Sequence, residues 1–276
     1  MLPLPVDLAC PPTDPGPVAV ELITAGQITN DWKLVVNDGT TGPVTLPATV
    51  GVLRHPKALI TVDAGLGQKN REKAQPGFPM RWARADMDVP AGATVVEQLG
   101  RVPDLVLLTH MHYDHIGGLL DMPGVRAWTG DADWWTYGGG NLGFPPRLFR
   151  DTIQWEPQDF EGPGSAQILG RPAQDVLGDA SIWYLSLPGH TPGSAAVLAR
   201  GESGPVLFIG DTGWVDKHLA DSMRPWAVSL FIDARKADHR ESLAWARAMK
   251  AQCPGLRVVT GHEPADLKPV RAPAAQ

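Results

Sequence analysis

Short apolar runs alternate with turns rich in glycine and proline along most of the chain. Runs of this length with many β-branched residues predict strands. Three of them lie near the start, at residues 18–23 (VAVELI), 32–36 (WKLVV) and 58–63 (ALITVD). Because no change of composition marks a second domain, the alternation predicts one α/β domain over residues 1–276. Residues 1–17 are expected to form an irregular, proline-rich lead-in.

One stretch near the end of the chain has the spacing of an amphipathic helix. It covers residues 238–252 (DHRESLAWARAMKAQ), and Asp238 followed by Glu241 predicts a capping box at its start. Residues 65–90 and 138–178 have the composition of long loops. The predicted strands and helix are therefore joined by two long irregular connections.

Five apolar runs end close to a residue that can bind a metal. These residues are Asp63, His110, His190, Asp211 and His262. In layered α/β folds, ligands collect where the loops leave one edge of the sheet. If the five strands share an edge, their terminal polar residues converge on one site.

The segment THMHYDHIGG contains the densest candidate chemistry, with His110, His112, Asp114 and His115 in an H-x-H-x-D-H spacing. Imidazole and carboxylate groups suit zinc, and also iron, manganese or cobalt. His110 and His112 face the same way on an extended segment, and Asp114 and His115 follow where the chain must turn. One loop thus offers two ligand pairs in different directions, which favours two metals over one.

The remaining histidines and aspartates leave more than one interpretation open. Taken singly, each candidate at a later strand end is explained equally well as a buried residue with a hydrogen-bond partner. These candidates are His190, Asp211 and His262. Three other histidines are expected to lie outside any site: His55 in a turn, His218 in a polar loop, and His239 solvated in the first turn of a helix.

The ordered motifs resemble the metallo-β-lactamase superfamily. The resemblance runs from about residue 58 to residue 262, through VDAG, THMHYDHIGG, LPGHTPGS, FIGDT and VTGHE. It implies an α/β fold, a four-layer αββα sandwich with the site where the two sheets meet. It also implies that His110, His112 and His190 hold a first metal. Asp114, His115 and His262 would then hold a second.

The same resemblance implies that Asp211 bridges both metals. Asp63 would hold a ligand histidine through its other ring N–H. The predicted enzyme is a dinuclear metal-dependent hydrolase, in which a hydroxide shared by the metals attacks a carbonyl. Asp114 and Asp211 are its candidate catalytic residues, with Asp114 orienting the hydroxide or passing a proton. The expected cofactors are two divalent ions, with zinc the default.

The substrate is expected to be a lactone or an ester. The segment LRHPKALITVDAG is similar to one in the quorum-quenching acyl-homoserine lactonase group, and a bridging aspartate such as Asp211 is generally missing from metallo-β-lactamases proper. The alternatives are a glyoxalase II-like thioesterase or another metallo-hydrolase acting on β-lactams or phosphotriesters. Glyoxalase II has a C-terminal helical domain, which is not expected here because the chain ends soon after His262. A non-hydrolytic di-iron oxidoreductase is disfavoured because the H-x-H-x-D-H set is intact.

Aromatic residues are candidates for the walls of a substrate pocket. The candidates are Trp134, Trp135, Tyr137, Phe144 and Trp214. Packing of the first two in the core is an equally good explanation. Trp214 departs from the lactonase group, which commonly has a tyrosine three residues after the bridging aspartate. The basic stretch 67–84 could favour anionic substrates, although a solvated loop explains it better.

Composition limits the partners. The chain has 24 Lys and Arg against 30 Asp and Glu, a net charge of −6, which disfavours nucleic acid and ribonuclease-type activity. A small-molecule substrate is expected, no membrane association is expected, and a homodimer is left open. Cys10 and Cys253 lie far apart without CxxC spacing and are expected to be reduced thiols of a cytoplasmic protein.

Overall fold

Two β-sheets form the centre of the protein. The structure is a computed structural model that describes residues 10–71, 86–138 and 152–264. In these residues thirteen strands divide into a seven-stranded and a six-stranded sheet. None of the described helices has the length and apolar character needed to cross a membrane.

The first sheet has the strand order β4-β1-β2-β3-β5-β6-β7. Its strands are β1 (Ala19–Asp31), β2 (Pro43–His55), β3 (Ala58–Val62), β4 (Asp86–Asp88), β5 (Leu105–Leu107), β6 (Arg126–Gly130) and β7 (Gln154–Gln158). The pairs that involve β1 or β2 are antiparallel, whereas β3, β5, β6 and β7 run parallel to one another. The parallel half places the C-terminal ends of β3 and β5 side by side.

The second sheet has the order β13-β12-β11-β10-β9-β8. Its strands are β8 (Ala166–Ile168), β9 (Arg171–Asp175), β10 (Ile182–Ser186), β11 (Ala195–Gly201), β12 (Gly204–Phe208) and β13 (Arg257–Val259). All neighbours are antiparallel except β12 and β13, which are parallel. The ends of β12 and β13 therefore also lie together at one edge.

Short helices connect the strands, and one long helix covers the second sheet. They are α1 (Trp32–Val35), α2 (Gln68–Arg71), α3 (Val95–Leu99), α4 (Tyr113–Ile116), α5 (Asp131–Asp133), α6 (Asp216–Ala220), α7 (Trp226–Ile232) and α8 (Lys236–Gln252). Two 3₁₀ turns cover Gly117–Asp121 and Gly210–Thr212, and a π turn covers Trp134–Gly138. The turn at Gly210–Thr212 carries one of the predicted site residues.

Three apolar layers hold the elements together. Side chains from both sheets, such as Leu53 and Tyr184, meet in the middle layer. A second layer joins the outer face of the first sheet to residues around α4, such as Ile116. In the third layer, Leu243 and Met249 of α8 pack on the second sheet. The four-layer αββα sandwich is thus confirmed.

Several local predictions are wrong. Residues 32–36 do not form a strand, because Asp31 caps a helical turn there by accepting from Lys33 N at 3.0 Å. The stretch 138–178 is not a continuous loop, since β7, β8 and β9 lie within it. These strands were not predicted because most of their side chains are half-buried or exposed. Their sequences therefore lack the apolar pattern of a core strand.

The capping box predicted for the long helix is also absent. α8 begins at Lys236, so Asp238 lies inside its first turn and forms an ion pair with Arg235 at 3.7 Å. Glu241 instead approaches Arg171 at 3.3 Å. The helix starts earlier than the pattern suggested, and its N-cap residue makes no side-chain hydrogen bond.

The two cysteines are joined, contrary to the prediction of reduced thiols. Cys10 and Cys253 form a disulfide with a Cα–Cα distance of 5.5 Å across a sequence separation of 243 residues. The chain after Cys10 packs back onto the second sheet, where Gly16 N donates to Gly201 O at 2.9 Å. Sequence spacing cannot reveal such a pair, because only the fold brings its two halves together.

Candidate metal centre

The predicted ligands converge at one edge of the sandwich. The segments after β5, β10, β12 and β13 bring seven side chains there. The first group of four is His110, His112, His190 and Asp211, and the second group of three is Asp114, His115 and His262. Within each group, one potential ligand atom per residue lies within 4.8 Å of the others. All seven side chains are buried except that of His112, which is half-buried.

The Asp211 carboxylate lies between the histidines of the first group and those of the second. Its Oδ2 atom is 3.3 Å from His190 Nε2 and 3.8 Å from His110 Nε2. Its Oδ1 atom is 3.2 Å from His115 Nε2 and 3.1 Å from His262 Nε2. One carboxylate therefore faces one group with each oxygen, which is the arrangement expected of a shared ligand.

Asp63 lies behind the second group at the end of β3. Its Oδ2 atom accepts from His115 Nδ1 at 2.8 Å, and its Oδ1 atom accepts from Thr109 N at 2.7 Å. Asp63 has φ of 63°, a left-handed conformation that non-glycine residues rarely adopt. The strain is offset by these buried hydrogen bonds, which point the carboxylate at the His115 ring.

The other ligand histidines have partners as well. His190 Nδ1 lies 3.0 Å from Asp233 Oδ1, and His262 Nδ1 lies 2.8 Å from Pro47 O. His110 Nδ1 is 3.2 Å from Thr109 Oγ1. Such partners fix the tautomer and direction of a histidine, leaving its second nitrogen for a metal. Here each Nε2 atom points towards the shared carboxylate.

The buried charges Asp233 and Arg224 complete the support of His190. The Arg224 guanidinium donates to Asp233 Oδ1 and to the Asp211 main-chain oxygen. It also lies 3.2 Å from His239 Nε2. No sequence pattern indicated Asp233 or Arg224, and the prediction that His239 is solvated is wrong, because its side chain is buried. Only the fold shows that these residues surround the end of β12.

Asp133 is a second buried residue that supports the ligand loops. Its carboxylate accepts from Gly193 N at 2.6 Å, from Thr191 Oγ1 at 2.8 Å and from Met111 N at 3.2 Å. Burial raises its pKa to about 6 against the lowering effect of these hydrogen bonds. Asp133 thus joins the HMH loop to the loop after His190. No local motif could have indicated it.

Burial and neighbouring charges set the protonation of the site. Burial, followed by the His115 charge, lowers the pKa of His110 well below its ordinary value. For His115 burial acts in the same direction, yet the carboxylates of Asp63 and Asp211 raise its pKa well above the ordinary value. Although burial opposes ionisation, His262 and His115 hold the pKa of Asp211 well below its usual range.

The donor set fits a pair of metal ions. His110 Nε2, His115 Nε2 and Asp211 Oδ1 are buried and make no hydrogen bond, and all three face the common centre. Unpaired buried polar atoms are rare in folded proteins, and a bound cation would satisfy them together. Imidazole nitrogens and carboxylate oxygens are ligands of first-row divalent metals. The two groups therefore provide for two metal ions.

The other predicted residues lie in varied places. Trp214 reaches the site, where its Nε1 atom donates to Asp211 Oδ2 at 2.7 Å. Trp134 stacks near Trp155 with ring centroids 5.3 Å apart, and Trp135 is 76% exposed. Tyr137 lies in the π turn, and Phe144 lies outside the described residues. A pocket role for these aromatic residues stays a prediction.

Two further predictions concern His55 and the basic stretch 67–84. His55 is the last residue of β2, directly before the turn and not in it as expected, and its Nδ1 accepts from Lys57 N at 3.1 Å. In the basic stretch, Arg71 pairs with Glu97 at 2.7 Å, and the residues from 72 onwards lie outside the described part of the chain. At its described end, this stretch is therefore tied to α3.

A sandwich of two sheets with two adjoining His/Asp groups at one edge is the architecture of a dinuclear metal-dependent hydrolase. The sequence profile of the metallo-beta-lactamase superfamily matches residues 44–262. The chain therefore belongs to this superfamily, and the predictions of the family and of a hydrolase are confirmed.

Two curated relatives show which members of the superfamily the chain is similar to. The chain is 25% identical to "N-acyl homoserine lactonase AttM" of Azorhizobium caulinodans over 254 residues, covering 84% of this chain and 88% of the relative. It is 32% identical to a hydroxyacylglutathione hydrolase of Xanthomonas axonopodis pv. citri over 116 residues, covering 42% and 35%.

A solved structure has the same fold. It is an N-acyl homoserine lactone hydrolase with the product N-hexanoyl-L-homoserine bound at its catalytic metal centre. It superposes with a TM-score of 0.70 at 18% identity, covering 91% of this chain and 94% of the other.

Proposed function

We propose that this chain is a dinuclear zinc hydrolase that opens the ring of N-acyl-homoserine lactones, the activity behind quorum quenching. The observation that carries the proposal is the Asp211 carboxylate, which faces one ligand group with each oxygen. Similarity to a named lactonase over 84% of the chain supports the choice of substrate. The thioesterase relative shares a much shorter segment.

The ligand roles follow from the geometry of the two groups. His110, His112 and His190 would hold the first ion; Asp114, His115 and His262 would hold the second. Asp211 would bind both, and Asp63 and Asp233 would orient His115 and His190 through their Nδ1 atoms. When bound, two zinc ions supply Lewis acidity towards a carbonyl and lower the pKa of a nearby water towards neutrality.

The protein's own part in the reaction is orientation and proton movement. Ring opening adds water across the ester: the acyl carbon gains a hydroxyl group, the C–O bond breaks, and the leaving oxygen gains a proton. Asp114 Oδ2 lies 3.5 Å from His262 Nε2, with its side chain only 9% exposed. A carboxylate in this position can hold the incoming proton and pass it to the leaving alcohol.

The test is a comparison of substrates on one zinc-loaded preparation. N-hexanoyl-homoserine lactone, S-lactoylglutathione, a chromogenic β-lactam and an aryl phosphotriester are measured side by side, and bound metal is counted per chain. We expect about two zinc ions and the highest kcat/KM for the lactone. A higher kcat/KM for the thioester would replace this function by the thioesterase alternative.

Asp211→Asn serves as the control for the site. The substitution keeps the size of the side chain but removes the charge that balances two dications. We expect weaker occupancy by at least one metal and a loss of turnover by several orders of magnitude, with the circular dichroism spectrum unchanged. Full occupancy and near-normal turnover would show that Asp211 is not a shared ligand.

The domain extent, the oligomeric state and the cellular location of the enzyme are proposals as well. A small-molecule substrate is supported by the relatives named as lactonases, whereas a single domain over residues 1–276 and a homodimer rest on the sequence alone. The cytoplasmic location depended on reduced cysteines, and the disulfide between Cys10 and Cys253 removes that support, because disulfides persist mainly in oxidising compartments.

A further inference from the structure

Trp214 occupies a fixed position beside the shared carboxylate. Its indole Nε1–H donates to Asp211 Oδ2 at 2.7 Å, and its ring lies under the Arg224 guanidinium, with 4.4 Å between the ring centroid and Cζ. A cation over an indole face is the strongest form of this contact. The ring is thus held on one face while its N–H points at the site.

The backbone of Trp214 is equally constrained. Its carbonyl accepts from His262 N at 2.7 Å, and its N–H donates to Nδ1 of the buried His218 at 3.1 Å. Trp214 therefore contacts Asp211 through its side chain and His262 through its main chain. The first is the shared carboxylate and the second belongs to the three-residue group, so one residue links both parts of the site.

We propose that Trp214 is a positioning residue that fixes the rotation of the Asp211 carboxylate, so that Oδ2 stays with one ligand group and Oδ1 with the other. Rotation about the Cβ–Cγ bond of an aspartate is soft, with a broad distribution of angles. A charge-assisted hydrogen bond to one oxygen of the carboxylate breaks this freedom. This inference rests on the pair of metal ions in the proposed function.

The same contact has a consequence for the substrate. An indole has one N–H group and no acceptor. Because Asp211 already takes this group, Trp214 has no donor left for a substrate carbonyl. Trp214 therefore acts on the metal site rather than on the substrate, and its loss should change metal binding and kcat more than KM.

The experiment compares Trp214→Phe with Trp128→Phe. Trp128 is a matched control, because its Nε1 atom also donates to a carboxylate at 2.7 Å, that of Glu156 on β7. Each substitution removes one indole N–H and keeps an aromatic ring. Zinc dissociation constants are measured by chelator competition, and the absorption spectrum of the cobalt-substituted protein reports the ligand geometry.

We expect Trp214→Phe to weaken zinc binding by about 10-fold or more, the usual effect of losing a group that orients a metal ligand. Its cobalt spectrum should change, while Trp128→Phe stays within about 2-fold of the wild type. Unchanged affinity and spectrum in Trp214→Phe, with two zinc ions in the wild type, would overturn this inference and leave the proposed function intact.

A wild type that binds no zinc would overturn both. Melting of the metal-free proteins shows whether each variant folds. Should Trp214→Phe fail to fold, Trp214→Met is measured in its place, because a flexible apolar side chain fills irregular space. Weaker zinc binding with a changed cobalt spectrum then supports the inference, and an unchanged affinity and spectrum overturn it.

Discussion

His218 is a buried histidine that supports the site without belonging to either ligand group. Its Nδ1 atom accepts from Trp214 N at 3.1 Å, and its Nε2 atom lies 2.9 Å from Val35 O, so the ring is neutral with the proton on Nε2. Burial and the nearby Arg224 charge lower its pKa from 6.5 to about 3. The expected polar loop is in fact helix α6, with His218 on its buried side.

The depressed pKa of His218 predicts that the stability lost on replacing this residue depends on pH. The unfolded chain binds a proton at His218 below about pH 6.5, whereas the folded protein resists it down to about pH 3, so stability falls as the pH falls through this range. His218→Leu leaves Trp214 N and Val35 O unpaired, and should lower the free energy of unfolding by about 1–3 kcal/mol at pH 8.

The pH dependence of this difference is the test. Because leucine does not titrate, the difference in the free energy of unfolding between the wild type and His218→Leu should shrink as the pH falls from 6.5 to 4. Urea unfolding of the metal-free proteins at several pH values measures it. A gap that stays constant across this range would show that His218 is not held neutral in the folded protein.

At the level of single residues, the sequence predicted the site residues that belong to a local motif and not the isolated ones. The H-x-H-x-D-H segment and Asp63 were identified because they stand in recognisable local patterns. Asp133, Asp233 and Arg224 could not be, since each is an isolated residue whose partners come from distant parts of the chain. Residues that orient ligands are therefore harder to find than the ligands.

Among the elements, α3 is a short helix with well-defined ends. Thr94 N donates to Glu97 Oε2 at 3.0 Å, and Glu97 N donates to Thr94 Oγ1 at 3.3 Å, which together form a capping box. Arg71 adds two hydrogen bonds to the Glu97 carboxylate at 3.0 and 2.7 Å. The pattern Thr-x-x-Glu thus works here, while the similar one at Asp238 does not.

Glu97→Gln should weaken this end of α3 in a pH-dependent way. The Arg71 hydrogen bonds lower the pKa of Glu97 from 4.5 to about 2. A depressed carboxyl pKa adds stability above the unfolded value, and this stability is lost as the pH falls from 4.5 towards 2. Because the pair is partly exposed, we expect a loss of about 1 kcal/mol at pH 7.

The control for Glu97→Gln is Glu202→Gln, at an exposed turn. Thermal unfolding at pH 7, 4 and 3 should show a deficit for Glu97→Gln that decreases with acid, and no deficit for Glu202→Gln. Equal behaviour of the two variants would mean that the charge of Glu97 and its pair with Arg71 contribute nothing measurable.

For the whole molecule, the order of motifs was enough to predict the sandwich. The parallel pairs β3–β5 and β12–β13, together with β10, correspond to the five apolar runs that the sequence analysis identified. Each of the five strands is followed by one of the predicted site segments. The disulfide was missed because its two cysteines meet only when the segment after Cys10 packs on the second sheet. Contacts between remote segments leave no periodic signal.

The disulfide should contribute strongly to stability. A crosslink over 243 residues restricts the unfolded chain, and crosslinks of this kind typically contribute about 2–5 kcal/mol. Cys10→Ser is the suitable variant, because Cys10 is exposed whereas Cys253 is buried. Its metal-free form should unfold at lower denaturant concentration than the oxidised wild type.

Reduction supplies the control for Cys10→Ser. A reductant should bring the wild type down to the level of the variant and leave the variant unchanged. Titration of free thiols should find none in the unfolded wild type without reductant. Two free thiols, or equal stability of the two proteins, would contradict a disulfide between Cys10 and Cys253.

The same bond determines how the molecule responds to force. Tension applied through the segments outside residues 10 and 253 would first load β13 (Arg257–Val259), which lies outside the crosslink. It would then pass through the sulfur–sulfur bond, so that the strands between the two cysteines carry no load. Stretched out, the chain between the two cysteines, which lie 243 positions apart, would add roughly 800 Å, and this extension is available only after reduction. A motor that unfolds proteins by threading them through a narrow pore would have to admit two segments of the polypeptide side by side, because the disulfide holds them together.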